Sequence, residues 1–421
     1  MAFSAESPAV SPPSAAPTAL SHVTVLDLSR VLAGPWASQI LGDLGATVYK
    51  IERPGSGDET RSWGPPFVPA SGSGPGDAAY YLCANRNKRS LTVDFTTPEG
   101  REIVCALAMR ADVVIENFKV GGLAAHGLDY ESLRRINPRL IYCSITGFGQ
   151  SGPYAARPGY DFIIQAMSGL MSLTGVPEGQ PGAGPVKAGV AVTDLFTGLY
   201  AAIGVLAALA HRERTGDGQQ IDVGLFDVQV ACLANQAMNY LVGGHVPGRM
   251  GNAHPNIVPY QDFPTADGRM IIAVGNDGQF ARLAAELGCP DWSSDVRFAS
   301  NAARIAHRDA LITAMCSVLV TRSTAEWIER LERAQVPCGP VNALDAVFAD
   351  PQVRARGMQF HMPRADGHTV PQVASPLHLS GTPVQYRHAP PALGADTRAV
   401  LAELLGLSVE RLDALAAKRV I

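Results

Sequence analysis

One aspartate in this sequence is placed where a carboxylate could act as a nucleophile. Asp194 stands at the predicted start of a helix, directly before sixteen residues without a charged side chain, 195–210. The start of a helix presents unpaired backbone N–H groups and the positive end of the helix dipole, and both favour an ionised carboxylate. Asp194 could therefore cap the helix or attack an electrophile. The segment alone leaves both interpretations open.

The elements that would position Asp194 follow an α/β pattern. Buried strand patterns at residues 23–28, 47–51, 112–116 and 139–145 alternate with amphipathic helical patterns at 34–44 and 98–109. Such alternation predicts a parallel sheet with crossover helices, as in Rossmann-like domains. A loop rich in Gly, Ser and Pro at residues 54–77 lies where such sheets bind ligands.

The chain is too long for one simple core, and its pattern changes after the apolar helix. Helices are predicted at 225–241, 278–287 and 302–319, with a strand at 270–274. Ser323 and Glu326 form a capping-box pattern for a helix that extends to residue 333. We therefore predict a disordered tail (1–22), a large α/β domain (23–215), linkers with a smaller α+β domain (216–340) and a return to the large domain (341–421).

Composition excludes several classes of function. The net charge of −4 gives no reason to expect nucleic acid or an anionic membrane surface as a partner. The seven cysteines are scattered without metal-ligand spacing, so we expect reduced thiols, no metal site and a cytoplasmic location. The tail has no Lys or Arg, which argues against a presequence or a secretory signal. The uncharged run is shorter than a bilayer requires, so a buried core helix is predicted.

The sequence also lacks the common cofactor and hydrolase motifs. No GxGxxG follows the first strand, which argues against a standard dinucleotide site, and there is no GxxxxGK[ST], HExxH or GxSxG pattern. His254 is of interest because it falls in a predicted flexible loop, 248–256.

Taken together, the motifs resemble those of class III coenzyme A transferases, the family of formyl-CoA:oxalate and carnitine CoA-transferases. The resemblance covers residues 23–421. Its motifs are VLDLSRVLAGP (25–35), GATVYKIERPG (45–55), NRNKRS (85–90), VIENF (114–118) and GVAVTD (189–194). Segments 142–147, 229–233, 239–241 and 257–261 are similar to the succinyl-CoA:glutarate (hydroxymethylglutarate) branch in particular.

The resemblance implies a mechanism and a set of site residues. Asp194 matches the family's nucleophile, which forms an aspartyl–acyl anhydride and then an aspartyl-CoA thioester. It also implies an intertwined, ring-like homodimer, with linkers near 215–218 and 336–341. The positions that match CoA-binding or active-site segments are Val31, Leu32, Ala33, Arg53, Val93, Asp94, Phe95, Thr96, Asn117, Phe118, Lys119, Arg157, Tyr160 and Asp161.

The substrates are less constrained than the reaction. Leu32 stands where the formyl-CoA:oxalate branch has a glutamine, which argues against oxalate. The resemblance also implies a Gly-rich loop that covers the active site; this chain shows no obvious counterpart, and the loop 248–256 is the candidate replacement. A dicarboxylate needs a cation for its distal carboxylate, and Arg86 is predicted for that role, with His254 as a further substrate residue. The expected donor is succinyl-CoA, and the expected acceptor is glutarate, hydroxymethylglutarate or a related acid.

Two alternatives remain. α-Methylacyl-CoA racemases share the fold implied by the resemblance, but they use a histidine as second base where this chain has Tyr160. A phenol, with an ordinary pKa of about 10, is a poor base at neutral pH, so the racemase is disfavoured. A non-catalytic CoA-binding protein is the other alternative, and the presence of Asp194 argues against it.

Overall fold

The computed structural model describes residues 18–68 and 76–421. The chain divides into two compact units, and the first comprises residues 18–68, 76–170, 187–244 and 351–421 of the described chain. The second comprises Met171–Val186 and His245–Asp350. These boundaries differ from the sequence-based ones, because 171–186 lies in the second unit whereas 216–244 belongs to the first. Most of the predicted tail lies outside the described residues, but Leu20 is buried and its N–H bonds to the Leu44 carbonyl.

The central feature of the first unit is a sheet of six parallel strands, as predicted. The strands are β1 (Thr24–Asp27), β2 (Thr47–Glu52), β3 (Lys88–Thr92), β4 (Val113–Glu116), β5 (Ile141–Thr146) and β6 (Gln220–Gly224), in the spatial order β6-β5-β4-β1-β2-β3. The order of the strands reverses between β1 and β4. In open parallel sheets, the crevice at the carboxyl ends of such strands is where ligands bind.

Both faces of this sheet are buried, which explains the nearly continuous apolar runs in its strands. Successive residues of a strand point to opposite faces. Val25 packs into one core cluster with Ala37 and Leu41 of the first helix, whereas Leu26 packs into a second cluster with Val104 on the other face.

Helices cover this sheet. Those of the first unit are Ala33–Asp43, Ala79–Leu82, Pro98–Ala108, Tyr130–Ile136, Asp161–Met167, Val192–Thr215, Leu225–Ala231, Ala234–Gly243, Pro351–Ala355, Thr397–Leu405 and Val409–Ala417. The long helix Val192–Thr215 packs on Ala33–Asp43 at Gly198, where a Cβ atom would lie 2.7 Å from the Ala33 carbonyl oxygen. It has the length and apolarity of a membrane span, and 44% of its most apolar window is buried. That it is a core helix of a protein without a membrane partner stays a prediction.

The second unit is α+β in the described residues. Its antiparallel sheet has the strands Tyr260–Pro264, Arg269–Ala273 and Cys338–Pro340, and its helices are Asp277–Glu286, Asn301–Ala306, Arg308–Leu319, Thr324–Arg333 and Leu344–Ala349. The predicted capping box is confirmed, since the Ser323 hydroxyl accepts from the Glu326 N–H and the Glu326 carboxylate accepts from the Ser323 N–H.

Smaller elements complete the described chain. Paired short strands are Phe67–Val68 with Asp77–Ala78, Gly175–Val176 with Gly184–Pro185, and Gln359–Pro363 with Thr369–Val373. The 3-10 helices are Glu59–Ser62, Ala124–His126 and Pro290–Ser293, and a short helix, Leu170–Leu173, lies where the chain passes from one unit to the other.

Two long predicted helices are each divided in the structure. The predicted helix at 225–241 ends at Ala231, and a second helix begins at Ala234. The φ of Ala234 is 44°, which is outside the range of a regular right-handed helix. The predicted helix at 302–319 breaks at His307, which ends Asn301–Ala306 and precedes Arg308–Leu319. Neither break contains Gly or Pro, the residues that signal such breaks in a sequence.

Candidate active site

Asp194 occupies the first turn of the long helix, but it does not cap it. The helix begins at Val192, and the N-cap residue is Ala191, which has no side-chain cap. Burial and the neighbouring Asp161 charge raise the pKa of Asp194 to about 7. The helix dipole favours the ionised carboxylate, as the sequence predicts, but desolvation and the Asp161 charge have the larger effect on its pKa.

Asp161 is fixed beside Asp194 by two hydrogen bonds. The Thr193 N–H donates to one carboxylate oxygen at 2.8 Å, and the Gln165 side-chain amide donates to the other at 2.7 Å. The Thr193 hydroxyl in turn donates to the Gln229 side-chain oxygen at 2.8 Å. The second carboxylate of the site is thus held in one orientation next to the first.

Asp194 lines a cavity of about 190 Å³ at the carboxyl ends of the sheet strands. The loops after β1, β4 and β5 form its walls. Its lining includes Arg30, Val31, Leu32, Ala33, Asn117, Phe118, Lys119, Gly147, Arg157, Tyr160 and Asp194. The position is the one that the reversal of strand order predicts for a ligand.

A larger cavity, of about 750 Å³, lies next to the first. Its lining includes Arg30, Arg53, Ser56, Glu59, Trp63, Val93, Asp94, Phe95, Thr96 and Phe118. Arg30 and Phe118 line both cavities, with the Arg30 guanidinium 5.1 Å from the centre of the Phe118 ring. This pair therefore stands where an elongated ligand would pass from one cavity to the other.

The loops after β1 and β4 are tied together by a reciprocal pair of hydrogen bonds. The Arg30 N–H donates to the Asn117 side-chain oxygen at 2.9 Å, and the Asn117 amide donates to the Arg30 carbonyl at 2.6 Å. Because both loops line the smaller cavity, Asn117 fixes two of its walls relative to each other.

Most of the predicted site residues meet in these two cavities. Those that line the smaller cavity are Val31, Leu32, Ala33, Asn117, Phe118, Lys119, Arg157, Tyr160 and Asp194, and those that line the larger one include Arg53, Val93, Asp94, Phe95 and Thr96. Asp161 lines neither, and it acts on the site through Thr193 and Asp194. That these residues contact CoA stays a prediction.

Arg86 does not fit the role that the sequence suggested for it. Its side chain is buried and lines neither cavity, and each guanidinium nitrogen already has a partner. Nε and Nη2 donate to the two Asp43 carboxylate oxygens at 2.9 and 2.6 Å, and Nη1 donates to the Val373 carbonyl at 2.8 Å. A guanidinium so engaged has no free edge for a substrate carboxylate, so Arg86 is corrected to a structural residue.

His254 lies in the second unit. Its Nδ1 accepts from the Asn256 N–H at 3.0 Å, and its ring lies 5.2 Å from that of Tyr260. These contacts order the loop 248–256 locally. The substrate role of His254 and the covering role of the loop stay predictions.

Sequence reasoning missed two aromatic side chains, Trp63, which lines the larger cavity, and its neighbour Tyr80. Burial, and next the negative charge of Asp194, raise the pKa of Tyr80 to about 12. The Trp63 ring packs edge-on against Tyr80, with the ring centres 5.4 Å apart. Both residues lie within or just after the Gly- and Pro-rich loop, where no periodic pattern signals a role.

Comparison with known proteins agrees with this geometry. A family model described as CoA-transferase family III matches residues 20–397. A succinate–glutarate CoA-transferase from Agrobacterium fabrum is 53% identical over 91% of this chain and 95% of its own. A succinyl-CoA:glutarate CoA-transferase from Mus musculus is 45% identical over 92% of this chain and 86% of its own. A crystal structure of a CAIB/BAIF family protein from Brucella suis superposes with a TM-score of 0.81 at 51% identity, covering 92% and 99% of the two chains.

Proposed function

The chain belongs to CoA-transferase family III and is a CoA-transferase, and we propose that it moves CoA from succinyl-CoA to glutarate, hydroxymethylglutarate or a related acid through Asp194. The observation that carries the proposal is the half-buried Asp194 carboxylate, which lines a cavity next to a larger one with basic and aromatic walls. Arg53, Trp63 and Phe95 suit a nucleotide, since they offer a cation and ring faces.

The reaction is a double displacement at one carboxylate. An Asp194 oxygen attacks the donor's thioester carbon, the C–S bond breaks, and a mixed anhydride and CoA thiolate form. The thiolate then attacks the Asp194 carbonyl, which releases the donor acid and leaves an aspartyl-CoA thioester. The acceptor carboxylate attacks this thioester, which expels the thiolate and forms a second mixed anhydride. The thiolate then attacks the acceptor's acyl carbon, which gives the acceptor's CoA thioester and restores the Asp194 carboxylate.

Asp161 contributes by making the resting carboxylate reactive. The charge of Asp194 is unfavourable in its half-buried site beside Asp161, and that cost disappears when the carboxylate becomes a neutral anhydride or thioester.

The first test replaces the nucleophile. Asp194→Asn keeps the shape of the side chain but removes its nucleophilic oxygen, so the variant should fold and lose transfer by several orders of magnitude. Wild-type enzyme incubated with succinyl-CoA and hydroxylamine should yield a peptide modified at Asp194, detected by mass spectrometry. Retention of more than a few per cent of activity would overturn the mechanism.

The racemase alternative is tested in the same reaction mixture. CoA transfer breaks no C–H bond, whereas a racemase must exchange the α-proton of its acyl group. Turnover in deuterated water should therefore leave the α-carbon unlabelled. Deuterium at that carbon would make Tyr160 or Asp161 a base and favour the racemase.

We further propose that Arg157 takes the distal-carboxylate role first predicted for Arg86. Arg157 lines the Asp194 cavity, and among the described residues no carboxylate forms an ion pair with it. Its guanidinium lies 4.6 Å from the centre of the Tyr154 ring and 5.4 Å from that of Phe148. The rings hold the cation in place, and of its guanidinium nitrogens Nη2 donates a weak hydrogen bond to Met167 Sδ at 3.9 Å, which leaves N–H groups for a ligand.

A comparison of donors tests this role. Arg157→Ala should lower kcat/KM for succinyl-CoA on the order of 10- to 100-fold, because a hydrogen bond to a charged group contributes about 1.5–3 kcal/mol. The weak activity with acetyl-CoA, which has no distal carboxylate, should change little. Equal losses with both donors would assign Arg157 a structural role. Lys119→Ala is the matched control: Lys119 is another cation in the same cavity, and its predicted contact is with CoA, so its loss should affect both donors equally.

We also propose a homodimer. In support, the long helix exposes Phe196, Leu199, Tyr200 and Ile203, which share one face at helical spacing. A second copy of the chain would cover this face.

A further inference from the structure

Val31 has a backbone conformation that β-branched residues avoid. Its φ of 69° lies in the left-handed region, where Cβ crowds the backbone. Such outliers persist where the surrounding structure holds them in place, and they cluster at functional sites. Val31 lines the cavity that contains Asp194, so whatever holds Val31 bears on the chemistry.

The backbone that leads to Val31 is held by side chains. The Ser29 N–H donates to Asp27 at 2.9 Å, and the Ser29 carbonyl accepts from Lys50 Nζ at 2.9 Å. The N–H and carbonyl of Arg30 both bond to Asn117. The backbone N–H and carbonyl groups of Ser29 and Arg30 are therefore all hydrogen-bonded to side chains, although the loop forms no turn or sheet there.

Asp58 supplies the contact to Val31 itself. The Val31 N–H lies 3.2 and 3.3 Å from the two Asp58 carboxylate oxygens. The Asp58 side chain is fully buried and pairs with Lys50 Nζ at 3.0 Å. It also accepts from the N–H and hydroxyl of Thr60. Burial opposes its ionisation, but Lys50 and Thr60 outweigh burial and hold the pKa of Asp58 below its ordinary value.

We propose that Asp58 is a positioning residue for CoA transfer, holding the Val31 N–H and thereby fixing the strained loop that forms one wall of the Asp194 cavity. Lys50 links this contact to the rest of the loop, because it bonds both Asp58 and the Ser29 carbonyl. Without Asp58, the loop has no partner for the Val31 N–H in the left-handed conformation and moves toward an ordinary one. The proposal rests on the proposed function at Asp194.

A double-mutant cycle tests the link between Asp58 and Val31. Asp58→Asn leaves one acceptor oxygen but removes the negative charge that the Val31 N–H and Lys50 both contact, so it should lower kcat/KM for succinyl-CoA on the order of 10- to 100-fold, the loss expected when a binding wall shifts. Glycine adopts a φ of 69° without strain. In the Val31→Gly background, Asp58→Asn should therefore cost less than in the wild type. Equal fold losses in both backgrounds would overturn the proposal.

Controls separate positioning from general destabilisation. Asp43→Asn breaks another buried carboxylate–cation pair, with Arg86, outside both cavities. Asp43→Asn should lower the thermal midpoint, and its effect on kcat/KM should be the same in the wild type and in the Val31→Gly variant. If Asp58→Asn does not fold, Asp58→Glu keeps a negative charge near Lys50 but displaces the carboxylate from Val31, and the same cycle applies. Absence of transfer by the wild type would contradict the proposed function, whereas additivity in the cycle contradicts only the role of Asp58.

Discussion

At the scale of single residues, two effects on the pKa of Asp194 oppose each other. The helix dipole favours the charged carboxylate, whereas desolvation and the Asp161 charge favour the neutral one. The dipole of a first helical turn is worth about 0.3–1 kcal/mol to a carboxylate, less than the roughly 1.4 kcal/mol of a single pKa unit. Burial and Asp161 move the pKa from 3.8 to about 7, well beyond what the dipole can offset. The sequence shows the helix start, but it does not show the burial or the second carboxylate.

This raised pKa predicts a dependence of stability on pH. Well below its ordinary pKa of 3.8, Asp194 is protonated in both the folded and unfolded states. Between that pKa and about 7 it is ionised in the unfolded chain but still largely protonated in the folded one, so folding loses stability as pH rises. The increase in thermal midpoint caused by Asp194→Asn should therefore grow from pH 4 to 7 and level off above pH 8. Differential scanning fluorimetry measures it. Asp217→Asn, at an exposed site, should show no such trend, and a flat difference for Asp194→Asn would contradict the raised pKa.

Arg86 and Asp58 mark the limit of sequence reasoning at the same scale. A cation within a recognisable motif suggests a ligand, but the partner of Arg86 is Asp43, forty-three positions earlier. Likewise, nothing local connects Asp58 to Val31, because the sheet brings their loops together. Motif positions predicted which residues line the cavities, whereas the pairing of buried charges depends on tertiary structure.

At the scale of elements, the strands β1, β2, β4 and β5 and the first helices were predicted because they carry strong apolar patterns, whereas β3 and β6 were not predicted. The strands are buried on both faces, and Pro98 and Gly45 delimit helices as expected. The divisions at Ala231 and His307 were not predictable, because ordinary residues form them. The hydrogen bonds that position the site likewise come from loops.

Two glycines control how closely the segment carrying Arg157 and Tyr160 approaches the sheet. Gly147 follows β5, and a Cβ atom on either Gly147 or Gly159 would overlap the backbone of the other. Gly159→Ala should therefore displace the start of the helix Asp161–Met167 and destabilise the fold by about 1–3 kcal/mol.

Urea unfolding together with kcat/KM measures this effect. The displacement should also lower transfer, since Asp161 and Arg157 move with the segment. Gly381→Ala is the matched control, because no atom lies within 4 Å of a Cβ atom at that position. Wild-type behaviour of Gly159→Ala in both measurements would show that the close approach is dispensable.

At the scale of the whole molecule, the apolar face of the long helix calls for a covering surface. Ile203 is 59% exposed in the single chain, on a helix whose other face forms the core of the first unit. An exposed apolar stripe on a central helix is typical of an interface between subunits.

We therefore predict a dimer that persists at low micromolar concentration in light scattering. Ile203→Glu should weaken it, because a buried charge without a partner is costly. Val296→Glu is the control: Val296 is 87% exposed and stands outside this helix, so its charge should be tolerated. A monomeric wild type would contradict the dimer.

The way in which the loop of Ser29, Arg30 and Val31 is held has a consequence for redesign. The hydrogen-bond partners of its backbone are Asp27, which ends β1 just before the loop, and Lys50, Asp58 and Asn117, which lie elsewhere in the chain. A loop transplanted from another enzyme to alter acyl preference would arrive without the last three partners and would relax. Grafts at this wall should therefore move the loop and its partners as one unit, or leave all of them in place.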